Sequence, residues 1–229
     1  MRYLIVTGGS VCLDFAKEYM EHQVFDKVIA VDLGLESVKA LQLVPDLIVG
    51  DFDSVPGEVL TEYEGMPGVE LRRLCPEKDL SDTQAALEAA LEDGAGEIVI
   101  LGGTGTRIDH VIANIHILMK PLARHVSACL VDECNKIYLI DSRHEIWKDN
   151  CHGKYISLFP LTDRTSGVTL RGFKYPLQDA VLAMGNSLGV SNELVEDVGV
   201  IEVQQGILIG VESRDSWIPS GTGNRCGVR

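Results

Sequence analysis

The chain has 229 residues, of which 45% are apolar, and a formal net charge of −14. This length accommodates one or two domains with a sizeable core. No stretch approaches the ~20 apolar residues of a membrane helix, and the acidic balance excludes a nucleic-acid binder that works through a basic face. Six cysteines, at positions 12, 75, 129, 134, 151 and 226, form no C-x-x-C pair. They read as reduced cytosolic thiols and place the chain in the cytoplasm.

The N-terminal run MRYLIVTGGSV is too short for a signal peptide's apolar region and ends in Gly8-Gly9, so Tyr3–Val6 reads as a first strand. Val11–Met20 follows as a helix, Lys27–Val31 as a strand ending at Asp32, Leu35–Leu41 as a helix, and Leu47–Val49 as a strand ending at Gly50. Ser81 and Gln84 have capping-box spacing at the head of an Ala- and Leu-rich helix, Ser81–Leu91. Glu97–Leu101 is a strand entering Gly102-Gly103. Ile108–Met119 is a helix with Val111, Ile112, Ile115, Leu118 and Met119 on one face. Strand and helix in alternation predict a parallel sheet covered by helices.

After Pro121 the helical signals fade. Short apolar or alternating runs follow at 126–131, 137–140, 155–159, 168–170, 198–203 and 207–211, separated by Gly153, Gly167, Gly172, Gly189 and Gly206. This spacing predicts a β-sandwich or barrel. The expected organisation is an α/β domain of Rossmann-like type over 1–140, a β-sandwich over 141–212, and a Ser/Gly/Pro-rich tail over 213–229, partly disordered.

Three segments carry chemistry. In LIVGDFDSV, Asp51 and Asp53 follow an apolar strand at spacing two. In extended chain both carboxylates point the same way, at the end of the sheet where open α/β folds bind ligands. Their repulsion would be relieved by a hard cation such as Mg²⁺, although Asp residues here could equally cap a turn. In PEKDLSDTQAALEAAL, Asp79 and Asp82 open a helix, where they also complement its dipole, and Lys78 could reach a phosphate. In LGGTGTRIDHVIAN, a strand runs through a glycine-rich loop into a helix. Gly103 and Gly105 permit close approach of backbone amides to phosphate, and Arg107 can make a bidentate contact to it. The loop is neither a P-loop nor a dinucleotide fingerprint. His110 and Asn114 lie one turn apart on that helix and read individually as surface or supporting groups. Two acidic pairs, an arginine and a glycine loop after strands of one sheet are the equipment of metal-assisted phosphoryl transfer.

GDFDS, PEKDLSDTQAAL, GGTGTRIDHVIAN and SLGVSNEL, in this order and spacing, resemble the thiamin pyrophosphokinase family over nearly the whole chain, to about Val211. The resemblance implies an N-terminal α/β catalytic domain, a C-terminal β-sandwich, and a homodimer with active sites between subunits. It also implies transfer of pyrophosphate from ATP to the thiamin hydroxyl with release of AMP. Carried over, Asp51, Asp53, Asp79 and Asp82 would surround Mg²⁺ and the triphosphate, and Arg107 and Asp109 would sit at the nucleotide and reacting end. Ser191 and Asn192 would face thiamin, and so would Trp217, whose ring suits a cationic thiazolium. Three departures stand out: Leu33 where a glycine is frequent, Thr106 before Arg107 where a glycine is common, and an unusual tail. Two rivals remain. One is a haloacid-dehalogenase-like phosphatase with Asp51 as nucleophile; the other is a non-catalytic module that binds thiamin or a nucleotide.

Overall fold

Tyr3, Leu4, Ile5 and Val6 are essentially inaccessible to solvent, which requires a strand covered on both faces. In the computed structural model, which describes residues 1–75, 79–105 and 107–219, these residues form β1 (Arg2–Val6) at the interior of a large sheet. The chain continues through α1 (Leu13–Glu21), β2 (Lys27–Val31), α2 (Gly34–Ala40), β3 (Leu47–Gly50), α3 (Gly57–Tyr63) and β4 (Glu70–Arg73). Next come α4 (Asp82–Glu92), β5 (Glu97–Leu101), α5 (Ile108–Ile117), α6 (Met119–Leu122) and β6 (Ser127–Val131). Strands β4-β3-β2-β1-β5-β6 are parallel in that spatial order. The order grows leftward from β1 to β4 and then resumes on the other side with β5. The direction in which successive strands are added therefore reverses between β1 and β5, the switch point at which such sheets open a crevice.

Side chains alternate across β1, as a strand's period of two demands. Tyr3 and Ile5 pack beneath Ala86, Leu87 and Ala90 of α4. Leu4 and Val6 face Phe15 and Ala16 of α1 and Leu35 and Val38 of α2. Ser81 caps α4 as its spacing predicts: its Oγ accepts from the Gln84 amide at 3.2 Å.

The second half contributes β7 (Asn135–Ile140), β8 (His144–Trp147), β9 (Tyr155–Pro160), β10 (Arg164–Arg171), β11 (Leu177–Ala183), β12 (Val198–Glu202) and β13 (Leu208–Ser213). Strands β11-β10-β12-β8 make a separate antiparallel sheet. Strands β7, β13 and β9 add antiparallel to the first sheet, which thereby reaches nine strands. Tyr138, Ile140, Ile156, Leu158 and Leu208 from that extension meet Ile146, Val168, Leu170, Leu182 and Ile201 in a third core. The sandwich thus borrows one of its layers from the sheet begun by β1.

One expectation needs correction. The apolar face read on α5 is not buried as a unit: Ile108 is 67% exposed, Ile112 50% and Met119 37%, while the polar Asn114 is buried. Just beyond Ser213, Trp217 sits edge-on to Phe15 with centroids 5.8 Å apart. Residues 220–229, with Cys226, lie outside the described residues, as does Lys78.

His152 gives this interior a pH dependence. Its Nε2 donates to the Asp132 carbonyl at 2.9 Å, and burial, with Arg214 nearby, pushes its imidazole down to about 4. The unfolded chain takes up this proton first, at about 6.5. Stability is therefore present above about pH 6.5 and is lost as the pH falls towards 4. The full effect is on the order of 3 kcal/mol. Urea melts at pH 7.5 and 5 should show a wild-type loss that His152→Gln reduces. Parallel losses in both proteins would contradict this account.

Candidate active site at the switch point

Four loops leave the C-terminal ends of β1, β2, β3 and β5 and meet around a cleft of about 370 Å³. Their glycines are dictated by backbone crowding. A Cβ on Gly9 would lie 2.0 Å from the Gly102 carbonyl oxygen, and one on Gly105 would lie 3.1 Å from Gly9 Cα. Gly102 has φ +74° and faces the Thr7 carbonyl. The loops after β1 and β5 therefore touch main chain to main chain, and no side chain fits between them.

The carboxylates come from β2, β3 and α4. Asp32, with φ 47°, leaves β2, and its Oδ1 accepts from the Phe52 amide at 3.3 Å. A Cβ on Gly50 would meet that same oxygen at 2.2 Å, so Gly50 is the notch in which the Asp32 carboxylate lies. Burial raises the Asp32 carboxyl to about 6, aided by the charge and hydrogen bond of Asp82 and by the charge of Asp51. Non-glycine residues in the left-handed region carry a conformational cost that tends to be kept at functional sites. Asp32 and Phe52 both show it, one strand apart.

The extended geometry expected for Asp51 and Asp53 is not what forms. The strand ends at Gly50, Phe52 takes φ 65°, and the Asp53 amide donates to Asp51 Oδ1 at 3.1 Å. The buried Phe52 ring anchors this turn, with the Arg73 guanidinium 5.0 Å from its centroid. Arg73 also donates to the Asp51 carbonyl at 3.2 Å. Asp51 is half-buried, whereas Asp53 and Asp79 are exposed. Among the described residues no three acidic, histidine or cysteine side chains form a ready-made metal cage. What the fold does bring together is Asp32, Asp82 and the turn at Asp51.

Arg107 and Asp109 pair with each other through two contacts, Nη2 to Oδ2 at 2.5 Å and Nε to Oδ1 at 3.2 Å, both side chains exposed. Asp82, Gly103, Gly105 and Arg107 line the cleft, joined by Asp32, His110 and Asn114. Ser191, Asn192 and Trp217 do not line it. Asn192 is buried; its Oδ1 accepts from the amides of Tyr175 and Glu193, and its Nδ2 donates to the Tyr175 carbonyl. It pins the turn that presents Ser191, which has φ 56°. A larger cavity of about 870 Å³ holds Trp217. It reaches Arg2, Glu97 and Ser127 at the starts of β1, β5 and β6, the end of the sheet opposite the switch point.

Sequence reasoning passed over Asp32 as a site residue. The signal was the same as for Asp51, an acid directly after an apolar strand. Thr7 and Arg73 carried no comparable mark.

The family model described as thiamin pyrophosphokinase, catalytic domain, matches residues 16–130, and the one described as thiamin pyrophosphokinase, vitamin B1 binding domain, matches residues 143–208. A thiamine pyrophosphokinase of Bacillus subtilis is 34% identical over 215 residues, covering 92% of this chain and 98% of its own. The crystal structure of thiamine pyrophosphokinase from Bacillus subtilis superposes with a TM-score of 0.84 at 30% identity, over 94% of this chain and 100% of that one. The corresponding structure from Geobacillus thermodenitrificans gives 0.82 at 30% identity, over 94% and 99%.

Proposed function

The chain belongs to the thiamin pyrophosphokinase family, and from that premise we propose how its own residues carry out the reaction. The activity is transfer of a pyrophosphoryl group from ATP to thiamin. Neither the phosphatase nor the non-catalytic module finds support among the relatives.

In this reading the triphosphate lies across the switch point. The glycine loop of Gly103 and Gly105 supplies amides to it, and Arg107 turns from Asp109 to an oxygen of the nucleotide. Exchanging one anionic partner for another at an exposed site costs little. Asp32, Asp82 and Asp51, with Asp53 and Asp79 at the rim, form the acidic side. A Mg²⁺ ion fits this donor set: it uses one or two carboxylates together with substrate phosphates and retained water, and needs no closed cage. When bound, it would neutralise charge on the transferring group. The part-buried position of Asp32 against Asp82 and near Asp51 supports this fit, since a bound cation would offset both the burial and the mutual repulsion of these carboxylates. The thiamin hydroxyl attacks the β-phosphorus in line; the bond from β-phosphorus to the bridging α-oxygen breaks, AMP departs, and the hydroxyl proton passes to a nearby carboxylate.

Trp217, packed on Phe15 in the other cavity, is left out of the thiamin assignment. Thiamin is assigned to Ser191 of a second copy, presented by the turn that Asn192 pins, in a homodimer whose active sites lie between subunits. Two exposed apolar areas support this. One is Ile108 and Ile112 on α5 beside the cleft; the other is Leu188 and Val190 beside Ser191. Among the described residues no helix is long and apolar enough to cross a membrane, and five cysteines are free thiols. The free thiols support work in the cytoplasm.

The observation that carries the reading is the Asp32–Asp82 pair facing a glycine loop across one cleft. Purified protein with ATP, Mg²⁺ and thiamin should yield AMP and thiamin diphosphate in equal amounts, followed by chromatography. Release of free phosphate without thiamin diphosphate would refute it.

A further inference from the structure

Two buried side chains outside the acidic cluster act on the glycine loop from below. Thr7 is 3% exposed and directly follows β1. Its amide extends the ladder to the Leu101 carbonyl at 2.9 Å, and its Oγ1 donates to the Gly102 carbonyl at 2.8 Å. Asn114 is 6% exposed, on α5, and its Nδ2 donates to the Gly103 carbonyl at 2.9 Å. Two successive loop carbonyls are thus held by two different elements.

A trans peptide is planar, and its C=O and N–H point in opposite directions. Fixing the Gly102 carbonyl therefore fixes the Gly103 N–H, and fixing the Gly103 carbonyl fixes the Thr104 N–H. Neither amide, nor that of Gly105, donates to an acceptor among the described residues. The loop cannot turn them by sliding, because Gly9 and Gly105 already meet backbone to backbone. Gly103, Gly105 and Asn114 all line the cleft. Unspent, pre-aimed amides beside an acidic cluster are what a polyphosphate requires: donors for its oxygens with no reorganisation at binding.

We propose that Thr7 and Asn114 are positioning residues of the nucleotide site, a two-point clamp that aims the Gly103 and Thr104 amides at the triphosphate. This rests on the functional reading above and adds to it the groups that set loop orientation.

The test separates positioning from simple structural support. Thr7→Val keeps shape and removes the donor; Thr7→Ser restores it; Asn114→Ala removes the second donor. Thr7→Val and Asn114→Ala are each expected to raise KM for ATP about tenfold, the scale of one lost charge-assisted hydrogen bond, with KM for thiamin changed less than twofold. Thr7→Ser should return to the wild-type value. Equal increases in both KM values, or an unchanged KM for ATP in both variants, would overturn the clamp while the active wild type left the functional reading intact. If the variants fail to fold, the wild-type protein decides. Titration with inorganic triphosphate should shift the Gly103 and Thr104 amide proton resonances downfield, and amides that stay still would refute the proposal.

Discussion

Asp32→Asn is expected to lower turnover by about a hundred- to a thousandfold, the usual cost of losing one preorganised electrostatic group, and at the same time to raise the melting temperature at pH 7.5 without added metal. Both effects follow from one geometry. Burial first, and then the neighbouring Asp82 and Asp51, raise the Asp32 carboxyl from 3.8 to about 6. A carboxyl raised in the fold is more easily protonated there than in the unfolded chain. The native state is thus favoured below about pH 4, and that advantage is lost as the pH climbs through about 6. The full shift corresponds to at most about 3 kcal/mol. Partial exposure to solvent reduces this to about 1–2 kcal/mol, or roughly 2–8 °C for a chain of this size. Asparagine keeps an oxygen for the Phe52 amide and offers Asp82 a donor in place of a charge. Turnover and calorimetry on one preparation test both parts. Near wild-type turnover, or a lower melting temperature at pH 7.5, would refute the role given to Asp32.

If the proposed dimer forms through α5, Ile112→Glu should yield a monomer and remove nearly all activity while leaving the fold in place. Single exposed apolar residues are unremarkable on a protein surface. Ile108 and Ile112, however, are both exposed and one turn apart on α5, the helix that Arg107 precedes and that carries His110 and Asn114, and Met119 is exposed at the start of α6. A charge in a buried apolar contact costs several kcal/mol, enough to dissociate an ordinary interface. Light scattering after size exclusion reads the assembly directly. Mixing provides a second reading. Asp32→Asn supplies an intact Ser191 and a defective cleft, and Ser191→Trp the reverse. If sites are shared between subunits, mixing the two inactive proteins should restore about a quarter of wild-type activity through hybrid dimers with one good site. A dimeric, fully active Ile112→Glu protein would refute the assigned interface.

The parallel half of the fold was legible because its strands are apolar runs ended by glycine or aspartate, and because Ala- and Leu-rich helices separate them. β4, β8 and β11 were missed for a physical reason: each lies at the edge of its sheet. Glu70–Arg73 reads as charged and forms the sheet's edge, where few side chains are buried. Leu177–Ala183 is also an edge strand, irregular in register and interrupted by Asp179 at φ 49°. The acidic cluster was half legible. Spacing identified Asp51 and Asp82, but whether Asp53 shares their direction depends on Phe52, whose left-handed conformation comes from burial of its ring and is set by tertiary packing. Asp32 and Asp82 are fifty residues apart in sequence, and only the pairing of β2 beside β3, beneath α4, brings them into contact. The α5 face misled because periodicity reports which residues are apolar and not what covers them.

The extension of the first sheet through β7, β13 and β9 bears on how this chain could be divided. A fragment starting at Asp141 would inherit β13 stripped of its neighbour on one side, with a row of backbone donors and acceptors open along Leu208–Ser213. Such an unprotected border recruits foreign strands. Expressed alone, the second half should therefore be prone to self-association, and the two halves must be inherited together even though their chemistries are distinct.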